Sequence, residues 1–156
     1  MKLTRHTNYA LRALQLAALK APERVRVEDV ASIHGLARPH IVKIVHKLGR
    51  GGFIVTQRGR KGGFTLARPA GEISVGAVVR LTEGSMDLVE CFDPDENTCP
   101  LLGVCHLSVA LHRAMRAFMD VLDDLTIADI SANRGALLER IGPLDGHSFE
   151  GMRDEH

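Results

Sequence analysis

The 156-residue chain has no tryptophan, a single tyrosine at Tyr9 and five phenylalanines. Its interior must therefore be filled by Leu, Val, Ile, Ala and Met, a mixture that suits helices. No run of about eighteen apolar residues occurs, which excludes a membrane-spanning helix, and Met1–His6 opens no signal-peptide pattern. A cytoplasmic compartment is expected. Cysteine is scarce and odd in number, three in all, which argues against a disulfide framework. There is no nucleotide-binding glycine fingerprint, and no Cys has a base and an orienting partner at motif spacing, so an enzyme is disfavoured. What remains is ordinary for a folded domain: 45% hydrophobic and 25% charged residues.

The net charge of +1 conceals a division. Residues 1–70 carry fourteen Lys and Arg against only Glu23, Glu28 and Asp29, whereas residues 71–156 carry six basic and sixteen acidic residues. A basic first half is the footprint of a polyanion-binding surface; the acidic second half would repel the same polyanion.

Apolar residues recur at three- and four-residue spacing from Thr4 to about Lys20, which predicts a helix ended by Pro22. A short helix over Glu28–His34 follows, then a turn at Gly35 and a helix to about Arg50 with Pro39 in its first turn and Ile41, Ile44, Val45 and Leu48 inward. Helix, short glycine turn, helix is the layout of a helix-turn-helix, whose second helix enters the DNA major groove. Its outward face carries Arg38, His40, Lys43, His46, Lys47 and Arg50. Phe53–Gln57 and Phe64–Ala67 read as two strands joined by Arg58-Gly59-Arg60-Lys61-Gly62-Gly63, a hairpin with a cationic, glycine-rich tip that can follow the minor groove. The partner is expected to be a double-stranded DNA operator contacted by Arg38, His40, Lys43, Lys47, Arg58, Arg60 and Lys61. The fold class is mainly α with one small β-hairpin: a winged helix-turn-helix plus a long helix.

Ser74 is placed to cap a helix from Val75 to about Thr82. Residues 84–104 lose periodicity, and a long helix resumes over His106–Asp124 with Leu107, Leu111, Ala114, Phe118, Val121 and Leu125 on one seam. Operators of helix-turn-helix proteins usually have two half-sites, so this seam is expected to join a homodimer. Thr126 and Asp129 mark a further short helical start. The chain divides into a DNA-binding domain over 1–82, a loop over 83–105, a dimerisation helix region over 106–130 and a tail over 131–156.

All three cysteines, Cys91, Cys99 and Cys105, bound the one irregular segment, at intervals of eight and six positions. Asp93, Asp95, Glu96 and Asn97 make that segment too polar for core. Zinc with His106 as fourth ligand and an iron–sulfur cluster on three thiolates are both open to such a set, although the close Cys-x-x-Cys pairs of structural zinc sites are missing.

Taken together, Thr4-Arg5-His6-Thr7-Asn8-Tyr9-Ala10-Leu11-Arg12, the helix-turn-helix, the Arg58–Gly63 wing with Leu66-Ala67, Val78-Val79-Arg80 and the cysteine loop resemble the Rrf-two family of winged-helix iron–sulfur regulators over about residues 1–130. The resemblance implies a dimeric, cluster-controlled transcription factor with Cys91, Cys99 and Cys105 as iron ligands. The cluster would be [4Fe–4S], with [2Fe–2S] as the alternative. His40-Ile41-Val42-Lys43-Ile44-Val45 and Leu88-Val89-Glu90-Cys91-Phe92 are most similar to the family's nitric-oxide-sensing repressors. The spacing of the first two cysteines and Thr7-Asn8-Tyr9 are also similar to its iron-responsive regulators. A branch with a ligand His three residues after the last cysteine is disfavoured, because Ser108 stands there. Nitric-oxide-sensing members have an Asp that reaches the partner subunit's cluster where this chain has Asn8, a weaker ligand. Asn8 is then the implied fourth ligand, with His6, His106, a loop acid or an exogenous thiol as alternatives.

Overall fold

The computed structural model describes residues 2–59, 62–84 and 86–142. Helix α1 (Arg5–Lys20) is capped by the Thr4 hydroxyl, which accepts the Thr7 amide, and it buries Ala10, Ala13, Leu14, Leu16, Ala17 and Leu19. Helix α2 (Val27–Ile33) starts where the Asp29 carboxylate accepts the Arg26 amide at 3.1 Å. The same carboxylate receives Lys20 Nζ at 3.2 Å in a nearly buried ion pair, tying the end of α1 to the start of α2. Helix α3 (Arg38–Arg50) has its proline in the first turn and packs Ile41, Ile44 and Leu48 inward.

Strands β1 (Ile54–Gln57) and β2 (Gly63–Leu66) pair antiparallel, Ile54 opposite Leu66 and Gln57 opposite Gly63. Val25 and Phe64 exchange both backbone hydrogen bonds at 2.9 Å, so the segment between α1 and α2 flanks the hairpin. That approach requires Gly63, whose φ is +155° and where a Cβ would lie 2.6 Å from the Val25 carbonyl oxygen.

Helix α4 (Val75–Glu83) is capped by Ser74, α5 (His106–Asp124) is the longest helix, and α6 (Ile127–Ile130) opens on the Thr126–Asp129 capping box. One hydrophobic core joins α1, α3, the hairpin and α4 to Met119 of α5 and Ile127 of α6. Residues on both sides of the cysteine loop thus share a single interior. Among the described residues no helix is long and apolar enough to cross a membrane.

The described part of the 131–156 tail forms a further helix, α7 (Arg134–Ile141); positions 143–156 lie outside the described residues. Two features differ from the sequence expectations. The α5 seam divides in two: Phe118 turns to its own core with Met115 and Leu122, while Leu107 and Val121 stay 64% and 62% exposed. Lys47 leaves the outward stripe of α3, half-buried, because its ammonium donates to the Thr82 carbonyl at the end of α4 at 3.2 Å.

Candidate nucleic-acid interface and cysteine centre

Arg38, His40 and Lys43 are exposed at the start and on the outer side of α3, and Arg58 is exposed at the end of β1. Arg38 Nε donates to Glu28 Oε1 at 2.7 Å, and this contact holds the Glu28 carboxyl below its usual range. Val42 is also exposed between these cations. Arg60 and Lys61, expected at the wing tip, lie outside the described residues. Apart from Glu28, the exposed side of α3 and the base of the wing present cations, as a phosphate-facing surface requires.

Behind α3 the N-terminal end of α1 meets the C-terminal end of α4. Thr7 Oγ1, fully buried, donates to Thr82 Oγ1 at 2.8 Å, and Thr82 Oγ1 donates in turn to the Val78 carbonyl at 2.8 Å. Glu83 Oε1 accepts the Thr4 amide at 2.7 Å. His6 has an unpartnered, buried Nε2 here, and burial together with the Lys47 charge lowers its pKa. The chain that leaves α4 toward the cysteines is therefore anchored to the recognition helix through Lys47.

Cys91 sits in a short 3-10 turn (Glu90–Phe92), Cys99 in the following turns and Cys105 at the N-cap of α5, all three as free, half-buried thiols. Glu90 Oε2 accepts the Thr98 hydroxyl at 3.2 Å, drawing the middle of the loop toward its start. Cys91 Sγ lies 3.4 Å from Ser108 Oγ, and the Ser108 amide donates to Cys105 Sγ at 3.5 Å. Cys99 stands apart, its amide bonded to Asn97 Oδ1 at 3.0 Å. Among the described residues no three His, Cys, Asp or Glu side chains gather at metal-binding separation. A cavity of about 670 Å³ between the loop and α5 is lined by Met86, Phe92, Ser108, His112 and Met115.

The donor set nevertheless fits an iron–sulfur group. Its three soft thiols are unpaired with one another and half-exposed, on a segment outside the core cluster. Asn8 is exposed on α1, one turn before Arg12, whose guanidinium lies 6.0 Å from the Tyr9 ring centroid. Sequence reasoning missed Ser108 as a neighbour of Cys91, and His112 as a neighbour of Phe92. They stand seventeen and twenty-one positions beyond Cys91 in the chain, and only the fold of the loop onto α5 brings them together.

A helix-turn-helix with a β-wing, joined through one core to a long helix, is the architecture of a winged-helix transcription regulator. Residues 3–133 match the Rrf2 family, described as iron-dependent transcriptional regulators, and the chain belongs to that family. It is 47% identical over 138 residues to the HTH-type transcriptional regulator NsrR of Geobacillus kaustophilus, covering 88% of this chain and 94% of that one. It is 36% identical to NsrR of Bacillus subtilis, covering 89% and 96%. Among solved structures it resembles the oxidised form of Staphylococcus aureus CymR, with a TM-score of 0.66, 28% identity and coverage of 84% and 96%. T. potens IscR shares the fold with a TM-score of 0.68, at 23% identity over 85% of this chain and 88% of that one. The family naming is consistent with an iron–sulfur cluster.

Proposed function

We propose that this chain is a homodimeric repressor whose DNA binding is controlled by an iron–sulfur cluster held by Cys91, Cys99 and Cys105, and that nitric oxide is its signal. The observation that carries this reading is the position of three free thiols between the last turn of α4 and the first of α5. The loop is thereby coupled on one side to the recognition helix and on the other to the helix that would join two subunits. Residues 1–82 act as the reading head, 83–105 as the sensor loop and 106–130 as the dimer region, with the 131–156 tail beyond. Arg38, His40, Lys43 and Arg58, with Arg60 and Lys61 of the wing, are the DNA contacts of this reading, while Lys47, bonded to the Thr82 carbonyl, supports α3 from behind.

The nuclearity that best suits three thiolates and an oxygen donor is [4Fe–4S], with Asn8 of the second subunit as that donor; [2Fe–2S] is the alternative. When bound, the cluster supplies a reactive centre that nitric oxide can dismantle. The protein's own part is to convert the order of residues 91–105 into the spacing of two recognition helices. The second copy is argued from α5: Leu107, Ala110, Ala114, Ala117 and Val121 form an exposed row at three- and four-residue spacing, beside the side packed on the core. One observation favours the iron-responsive alternative. A carboxamide at position 8 binds iron more weakly than a carboxylate, so the fourth site would empty readily when iron is scarce.

Anaerobic purification with iron and sulfide analysis, followed by gel shifts with nitric oxide or a chelator, tests the reading. Visible absorption with matching iron and sulfide, and operator release by nitric oxide but not by mild chelation, are expected. Release only by chelation transfers the assignment to iron sensing, and stoichiometric zinc without visible absorption overturns the cluster.

A further inference from the structure

Cys91 and Cys105 lie far apart in the chain, yet both sulfurs rest on one residue. Ser108 donates its amide to Cys105 Sγ at 3.5 Å, and its hydroxyl lies 3.4 Å from Cys91 Sγ. One turn further along α5, His112 Nδ1–H donates to the Ser108 carbonyl at 2.8 Å. The His112 ring stacks on Phe92, the residue after Cys91, with centroids 3.8 Å apart and planes 28° from parallel. The start of the loop is thus docked on α5 through Cys91 and Phe92, whereas the Cys99 amide bonds to Asn97 of its own turn.

We propose that Ser108 is a positioning residue that preassembles Cys91 and Cys105 as a two-thiol half of the cysteine centre, leaving Cys99 to close it. The inference rests on the iron–sulfur reading above. A serine hydroxyl both donates and accepts, so it accepts from the Cys91 thiol and, after rotation, donates to the same sulfur as a thiolate ligand. With the Ser108 amide on Cys105, one residue then supplies a hydrogen bond to each of two ligand sulfurs. Such bonds spread the anionic charge on sulfur, orient the ligands and favour the reduced form of the centre.

The test compares the full-length wild-type chain with Ser108→Ala, Ser108→Thr and Ser108→Val, purified or reconstituted anaerobically. Thr and Val have the same shape and branching and differ only in the hydroxyl. The amide contact to Cys105 persists in all four proteins. The readouts are the midpoint potential of the centre and its rate of loss to a chelator, with thermal melts confirming the fold. Ser108→Ala and Ser108→Val are expected to shift the potential downward and to lose the centre about tenfold faster, the scale of a lost outer-shell partner. Ser108→Thr should retain wild-type values. Wild-type potential and loss rate in Ser108→Val overturn the role of Ser108 while leaving the iron–sulfur reading intact. A wild-type chain that takes up neither iron nor sulfide overturns both.

Discussion

His34 ends α2, and its Nε2 is buried without a hydrogen-bond partner. Burial, with a smaller contribution from the Arg12 charge, lowers its pKa from 6.5 to about 4. The unfolded chain therefore binds a proton between those values that the folded chain refuses. The stability associated with neutral His34 is complete above about pH 6.5 and is lost as pH falls toward 4. His34→Gln should melt with a shallower decline in Tm between pH 7 and 4.5 than wild type, as followed by circular dichroism. Parallel curves would show that His34 does not titrate with folding. Lys43 and Lys47 offer a second contrast. Lys43→Ala should reduce the slope of log affinity against log salt by about one unit, the signature of one lost phosphate contact. Lys47 already bonds the Thr82 carbonyl. Lys47→Ala should chiefly cost about 1 kcal/mol of stability, the scale of one hydrogen bond, with a smaller change in salt slope. Gel shifts across a salt series, paired with melts, separate the two.

Between elements, α4 packs against α5. Arg80 grips Asp123 through both terminal guanidinium nitrogens, which lowers the Asp123 pKa and raises that of Arg80. Gly76 makes the approach feasible: a Cβ there would lie 2.0 Å from Asp123 Oδ1 and 3.0 Å from the Asp123 backbone nitrogen. The carboxylate could swing aside only by giving up Arg80, and the backbone cannot. Gly76→Ala should therefore force the helices apart and destabilise the fold by about 1–3 kcal/mol, the usual cost of overpacking, as read in a denaturant titration. An unchanged midpoint would mean that α5 slides freely on α4.

At the scale of the whole molecule, apolar side chains remain on one face of α5 and on the loop that precedes it. Leu101, Leu102 and Val104 are 56%, 59% and 74% exposed, continuous in sequence with Leu107 on α5. A face of this size suits a partner surface better than water. If the partner is a second copy, Val121→Glu places an unpaired charge in the joint without touching the core, and sedimentation should show monomers at micromolar concentration. Leu111 is a poorer probe, because it is already half-buried on its own chain. A Val121→Glu protein that sediments as a dimer would move the interface elsewhere.

Sequence alone determined the local elements. Caps at Ser74 and Thr126, the Pro39 helix start and the span His106–Asp124 appear in the structure as periodicity and capping chemistry predict, since each depends on residues within a turn or two of one another. The charge division and the bounds of the cysteine segment were legible for the same reason, because composition needs no neighbours in space. Tertiary structure alone decided which side of a doubly apolar helix meets its own core. It turned Phe118 inward and left Val121 out, a choice fixed by where α4 docks on α5. It alone drew Lys47 from the outer stripe of α3 to the end of α4, because a backbone carbonyl left free by a helix terminus attracts a nearby ammonium. It also set Cys91 on Ser108, seventeen positions further along the chain, a meeting that only closure of the intervening loop over the helix can bring about.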